Sequence, residues 1–115
     1  MATFNLASEQ WPGDFMQMKM IVGEVTMNNA GAGGYDAAGE ALDLSAYFDT
    51  VVWGAIKIGG SAASEPYLWG ATTGANVIPL ITAAWTGPGF SGVLADVTPA
   101  TDLSAATTVW IFFGY

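Results

Sequence analysis

The chain has 115 residues, of which 52% are hydrophobic and 10% are charged, so it can build one domain with its own core. Ten acidic residues against two lysines give a formal net charge of -8, which argues against binding to nucleic acid or to an anionic membrane. Histidine and cysteine are absent, so imidazole and thiol chemistry, disulfides and the usual zinc ligands are excluded. We expect a protein that is not an enzyme and that holds no cofactor or metal.

The N-terminal segment, residues 1–15, lacks the basic region of a secretory signal and carries acidic residues instead. No apolar run in the chain approaches the roughly 20 residues that a membrane-spanning helix needs. We therefore predict a soluble protein made without export. In our interpretation this segment is an arm that precedes a β domain of residues 16–115, and Trp11, Pro12 and Phe15 in it contact a partner.

The first half of the domain shows short apolar segments separated by Gly, Asn and Ser, a pattern typical of strands and turns. Residues 16–27 alternate apolar with polar side chains, and Gly23 interrupts the alternation, which predicts a strand with a bulge or a close backbone approach. Residues 28–39 are rich in glycine and predict a loop. Residues 50–58 predict a long strand that Gly59 and Gly60 end.

The second half continues the same pattern, with four shorter strands predicted at residues 67–69, 77–78, 83–85 and 90–97. Pro79 lacks a backbone donor and favours a strand end or an edge. Residues 107–115 predict a strand that is apolar on both faces, and hence central or at an interface. No convincing helix is present, so we predict an all-β fold: a single β-sandwich or small barrel, with jelly-roll or Greek-key connectivity left open.

A short motif occurs twice, as Asp43-Leu44-Ser45-Ala46 and as Asp102-Leu103-Ser104-Ala105. Each copy precedes a predicted strand that carries a tryptophan. We interpret both as turns in which the Asp or Ser side chain caps backbone donors before the strand begins.

Carboxylates are the remaining groups with catalytic or metal-binding chemistry. Asp36, Glu40 and Asp43 lie close together in sequence, as do Asp96 and Asp102. Paired acids can hydrolyse glycosides, and hard cations such as calcium take carboxylate and carbonyl oxygens. The acidic stretch lacks the spacing of an EF-hand loop, however, and such pairs arise by chance among ten acids. A solvated acidic loop is the favoured interpretation.

Five tryptophans occur in this small domain. Trp53 and Trp110 fall inside predicted strands, which favours core packing, whereas Trp11, Trp69 and Trp85 lie near predicted loops or strand ends. Exposed aromatic side chains anchor protein partners or stack on sugars. The sequence therefore predicts a binding protein, with a carbohydrate-binding or tail-associated adhesin module as the alternative.

A family resemblance makes the hypothesis of a binding protein more specific. Its residues are Ile21-Val22-Gly23-Glu24-Val25-Thr26-Met27, then a glycine-rich loop and Gly39-Glu40-Ala41-Leu42-Asp43-Leu44-Ser45, and finally Thr101-Asp102-Leu103-Ser104 and a terminal strand ending in Gly114-Tyr115. With these segments the chain resembles small structural proteins of tailed bacteriophage virions, in particular capsid decoration or cement proteins built as β-sandwiches. The chain departs from them in its lack of arginine and in its Gly- and Ala-rich residues 59–75.

The resemblance implies a mode of action and no catalytic residues. Such proteins bind the outer surface of a shell of major capsid protein and stabilise it, often as trimers. On this basis we expect a homo-oligomeric structural protein, made in the host cytoplasm and located on the outer surface of the capsid in the virion.

Overall fold

A computed structural model of the chain describes residues 1–15, 18–36, 38–88 and 90–115, with the side chains of residues 10–15, 53 and 54 left outside the description. Its strands are β1 (Thr3–Phe15), β2 (Met18–Thr26), β3 (Glu40–Asp43), β4 (Val51–Gly60), β5 (Tyr67–Ala71), β6 (Val77–Trp85), β7 (Leu94–Asp96) and β8 (Thr108–Gly114). The only helical segments in the described ranges are two single 3-10 turns, Ala30–Ala32 and Ala62–Ser64. The predicted all-β class is confirmed.

Two antiparallel sheets pack face to face as a β-sandwich. The first sheet has the strand order β1-β2-β8-β4, and the second has the order β3-β6-β5 with β7 also paired to β6. Strand β8 is therefore central, between β2 and β4, as its two apolar faces predict. In the second sheet β6 is the central strand, because every other strand of that sheet pairs with it.

The core lies between the two sheets and draws fully buried side chains from both: Ile21, Val25, Trp110 and Phe112 from the first sheet, and Leu42, Ile78 and Leu80 from the second. Each buried aliphatic side chain stabilises the fold by about 1.5–3 kcal/mol relative to exposure. Trp110 stacks on Phe112, with ring centroids 5.9 Å apart. Its indole N–H donates to Thr108 Oγ1 at 2.7 Å, so the buried polar atom is satisfied.

The N-terminal segment belongs to the first sheet. Residues 3–15 form its edge strand β1, which pairs antiparallel with β2. Ala2 is buried, and its N–H donates to Ala41 O at 2.9 Å, so the chain also contacts the second sheet here. A side chain at Gly23 would collide with the Phe4 ring and with Asn5 O, which confirms the predicted close backbone approach.

Strand β6 differs from the prediction of two short strands at residues 77–78 and 83–85, because it is continuous over nine residues. Pro79 lies inside it. The carbonyl of Pro79 accepts from Thr72 N at 3.3 Å, but proline has no N–H to return the bond, so the pairing with β5 stops at Ala71. On its other edge β6 remains paired with β3 through Pro79.

Two further predictions of strand extent need correction. The sequence did not indicate β3, which is only four residues long and directly follows the glycine-rich loop. Strand β7 covers three residues instead of the predicted 90–97. The physical reason is that the chain turns back before Leu94: Thr86 N donates to Val93 O at 2.9 Å, and Phe90 has a left-handed φ of 63°.

The repeated Asp-Leu-Ser motif forms the predicted turn in both copies. Ser45 N donates to Asp43 Oδ1 at 2.9 Å, and Ser104 N donates to Asp102 Oδ1 at 3.0 Å. The serine hydrogen bonds, with the hydroxyl contributing most, lower the pKa of both aspartates below the ordinary value. The central leucine of each copy is buried in the core. Each turn therefore caps backbone donors and also contributes an apolar side chain to the core.

Tyr35 completes the edge of β6 between β3 and β7. Its side chain is buried, and its hydroxyl accepts a hydrogen bond from Thr82 N at 3.0 Å. The Tyr35 backbone bonds to the segment before β8 through Thr101 O at 2.9 Å and Ala100 N at 2.8 Å. One residue of the glycine-rich loop thus joins the second sheet to the C-terminal part of the chain.

We predict that Tyr35→Phe destabilises the protein by about 1–3 kcal/mol, because the N–H of Thr82 then stays buried without an acceptor. Urea unfolding at an unchanged slope measures this loss. Tyr115→Phe, whose ring is 58% exposed, is the matched control and should unfold at the wild-type midpoint. Equal midpoints for all three proteins would contradict the role given to the Tyr35 hydroxyl.

Candidate protein-binding face

The outward side of β6 is apolar, although it faces solvent. Ile78, Leu80 and Thr82 point inward and are buried, so Val77 and Ile81 point outward. The solvent face of an antiparallel sheet normally carries polar side chains. An apolar outward face is therefore a candidate surface for binding.

Neighbouring strands extend this surface. Leu68 of β5 pairs with Ala83, and Leu94 of β7 pairs with Trp85, so both leucines share the outward side of β6. We define the outer apolar face by its five large side chains, with their exposed fractions: Leu68 (60%), Val77 (43%), Ile81 (39%), Trp85 (42%) and Leu94 (37%). Smaller apolar residues lie between them, namely Ala41, Gly70, Pro79 and Ala83.

The size of the outer apolar face is that of a functional patch. Nine residues of β6 extend for about 26 Å, and three strands side by side give roughly 400 Å² of surface. The largest apolar patch on a soluble monomer is typically of this size and often functional. The outward side of the first sheet is mixed: Ile56 and Ile58 of β4 are exposed there, but it also includes the polar pairs Thr3 with Thr26 and Asn5 with Glu24.

Two carboxylates border the outer apolar face. Asp43 pairs with Val77 at one end of it, and Asp96 pairs with Ala83 near the other end. Both aspartates are exposed, and none of the described outward positions of this sheet carries a basic residue. The face is thus apolar at its centre and negative at its border.

The turn after β6 presents a further aromatic ring. Phe90 is 62% exposed and has the left-handed φ noted above, a conformation that costs free energy for a bulky residue. The turn is closed by Gly87 N donating to Ser91 O at 2.9 Å and by Ser91 Oγ donating to Pro88 O at 2.5 Å. A groove of about 410 Å³ beside the turn is lined by Pro66, Tyr67, Ala84, Trp85, Gly87 and Phe90.

The structure places the predicted partner-binding residues differently from one another. Trp85 belongs to the outer apolar face. Trp69 lies on the inward side of β5, where it packs against the core and its indole N–H donates to Ser64 O at 3.0 Å. The two tryptophans therefore lie on opposite faces of one sheet and do not form a joint platform. The side chains of Trp11, Pro12 and Phe15 lie outside the described residues, as does that of Trp53.

The sequence did not predict most of the outer apolar face. Leu68, Val77, Ile81 and Leu94 were not singled out, because an exposed leucine or isoleucine looks like a core residue in sequence. A signal was present in residues 77–85, where Thr82 is the only polar side chain and the odd and even positions are both apolar, a pattern typical of a strand that is apolar on both sides. The prediction of a strand end at Pro79 divided this run.

The acidic stretch does not bring its carboxylates together. Glu40 points inward from β3 and is fully buried, whereas Asp43 points outward and caps Ser45. Glu40 Oε1 accepts from Asn28 N at 2.7 Å and lies 3.8 Å from the amino group of Met1. Within the described residues, no group of three acidic side chains is placed to hold a metal ion.

Burial raises the pKa of Glu40 above its ordinary value of 4.5, although the Asn28 hydrogen bond opposes this shift. A raised pKa means that the folded protein binds the proton more tightly than the unfolded chain. The stabilisation that Glu40 contributes through this proton is fully present below the ordinary pKa, and it is lost as the pH rises through the raised pKa. We expect Glu40→Gln to be more stable than the wild type at pH 7, with the difference shrinking toward pH 4.5.

Urea unfolding between pH 4.5 and 7.5 tests this expectation. Glu24→Gln removes the same charge from an exposed position of β2 and serves as the control. A Glu40→Gln protein that follows the wild-type pH profile would contradict the effect of burial.

The outer apolar face should contribute little to folding. We predict that the double replacement of Leu68 by Ser and Ile81 by Thr changes the free energy of unfolding by about 1 kcal/mol or less, because both side chains are exposed and each surface substitution costs about 0.5 kcal/mol or less. Leu80→Ala, one position away but buried, should cost about 2–5 kcal/mol. Thermal and urea unfolding distinguish the two; comparable losses would mean that the face serves stability.

Comparison with known proteins adds no constraint on this face. No protein-family model, no curated protein sequence and no solved structure matches the chain. No helix in the described residues is long and apolar enough to cross a membrane. The chemistry of the outer apolar face is therefore the ground for a functional proposal.

Proposed function

We propose that the protein is a structural binding protein that attaches to the outer surface of a bacteriophage capsid through the outer apolar face and stabilises the shell. The observation that carries the proposal is the solvent-exposed apolar side of the central strand β6, which faces away from the core. The resemblance to capsid decoration proteins supplies the kind of partner, the major capsid protein.

The position of the face on a sheet suits attachment to a rigid lattice. Its five large side chains stand on paired strands, so little conformational freedom is lost when a partner covers them. Low ordering cost favours binding without a change of fold.

The magnitudes favour a repeated interface. Covering roughly 400 Å² of apolar surface contributes at most about 10 kcal/mol, whereas association costs about 4–15 kcal/mol. A single contact of this size is therefore weak. Many copies on a symmetric shell, or several faces in one homo-oligomer such as a trimer, bind together and compensate through avidity.

A protein partner is favoured over a sugar. Carbohydrate binding through Trp69 and Trp85 would need both rings on one accessible surface, and the two side chains point to opposite faces of the sheet. Aliphatic side chains make up most of the outer apolar face, and these pack well against another protein.

The test uses purified phage shells assembled without this protein. The wild-type protein should co-sediment with these shells and raise the temperature at which they disrupt. The double variant with Leu68→Ser and Ile81→Thr should bind about 10–100-fold more weakly, since covering the exposed part of each aliphatic side chain contributes roughly 0.7–1.5 kcal/mol. Equal shell stability with and without the wild-type protein would overturn the proposal.

The control replaces two exposed isoleucines of the first sheet, with Ile56→Ser and Ile58→Thr on β4. These side chains are 47% and 53% exposed, so the loss of apolar surface is matched. The control should bind shells like the wild type. A saturating change of tryptophan fluorescence with a glycan panel, in place of shell binding, would transfer the function to the carbohydrate-binding alternative.

A further inference from the structure

We infer that the corner of the outer apolar face at Trp85 and Asp96 takes an arginine side chain from a different protein. The inference rests on the proposed function and names the chemistry of the surface on which this chain docks. That surface is apolar, fits the outer apolar face, and carries an arginine at the position opposite Trp85 and Asp96.

The strand register places the two residues side by side. Trp85 pairs with Leu94 and Ala83 pairs with Asp96, so Trp85 and Asp96 are diagonal neighbours on adjacent antiparallel strands. Diagonal neighbours on one face are about 7–8 Å apart, a distance that long side chains can bridge.

An indole beside a carboxylate suits a guanidinium group. A cation over a tryptophan ring gains about 0.5–2 kcal/mol, and a planar guanidinium can stack on the ring while its N–H groups donate to a carboxylate. Leu94 and Ala83 lie between the two groups and offer apolar surface to the aliphatic part of an arginine. Lysine matches this corner less well, because its ammonium group is compact and strongly hydrated.

The cation has to come from another protein. This chain contains no arginine, and one of its two lysines, Lys19, is buried with its Nζ 3.3 Å from Glu9 Oε2 and 3.3 Å from Tyr47 O. The other, Lys57, lies on β4 in the first sheet. A second copy that docked through its own outer apolar face would also bring two further carboxylates, its Asp43 and Asp96, to this interface. Charge complementarity therefore selects a partner with a basic border.

The first experiment does not need the capsid. The probe is the peptide acetyl-Leu-Arg-Leu-amide, titrated into isotopically labelled protein and followed by NMR, with the citrulline analogue as the uncharged control. We expect shifts at the Trp85 indole N–H and at the amides of Ala83, Leu94 and Asp96, at least threefold smaller with citrulline. Shifts elsewhere, or equal shifts with both peptides, would overturn the inference.

Two variants, each lacking one carboxylate charge, test whether Asp96 is the partner of the guanidinium. Asp96→Asn should abolish the difference between the two peptides, whereas Glu24→Gln, which removes one exposed charge from the first sheet, should leave it unchanged. Both positions are exposed, so both variants are expected to fold. If Asp96→Asn retains the preference for arginine, Asp96 is not the partner of the guanidinium and the inference fails.

The second experiment uses the shells of the proposed function. Asp96→Asn should weaken shell binding about tenfold at 50 mM salt and less at 500 mM, because the ion pair is screened. Unchanged binding of Asp96→Asn at low salt, with no arginine-specific shifts, contradicts the inference and leaves the capsid function standing. Arginine-specific shifts without any shell binding contradict the capsid function alone. Concentration-dependent self-association that covers Trp85 would identify a second copy as the occupant and overturn the inference.

Discussion

Strand β6 is the element on which the second sheet depends, because all other strands of that sheet hydrogen-bond to it. One edge is shared by β3, the hydroxyl of Tyr35 and β7 in succession, and the other edge carries β5. Each backbone donor on β6 that lacked a partner would be costly in the interior. At Thr82, which pairs with neither β3 nor β7, the hydroxyl of Tyr35 accepts the hydrogen bond of the backbone N–H instead.

The two sides of strand β6 differ in their surroundings: one packs in the core and the other faces solvent. Its inward residues Ile78 and Leu80 are buried against the first sheet, so they contribute to folding. Its outward residues are apolar too, yet no part of the described chain covers them. Apolar side chains that do not serve the core are a cost in solubility, which a partner removes when it covers them. In the proposed function, one side of β6 thus serves folding and the other serves binding.

The negative charge of the chain limits which partners would suit the outer apolar face. With a net charge of -8 and only two lysines, a second copy of the chain can offer few positive charges to the carboxylates at this border. The carboxylates at the border of the outer apolar face, Asp43 and Asp96, suit a basic surface and repel an acidic one. In the proposed binding mode, the apolar centre supplies most of the affinity and the charged border supplies the preference for a basic partner.

The sequence by itself determined the all-β class, the two apolar faces of β8 and the two Asp-Leu-Ser turns, because these depend on residue patterns and on local hydrogen bonds. It also determined the absence of imidazole, thiol and guanidinium groups. Only the tertiary structure decided between a sandwich and a barrel and placed β8 at the centre of its sheet. It likewise decided which apolar side chains are covered, since alternation tells the two sides of a strand apart but not which of them meets another sheet. It also decided the contact of Tyr35 with Thr82, because 47 residues separate the two in sequence and no local pattern links them.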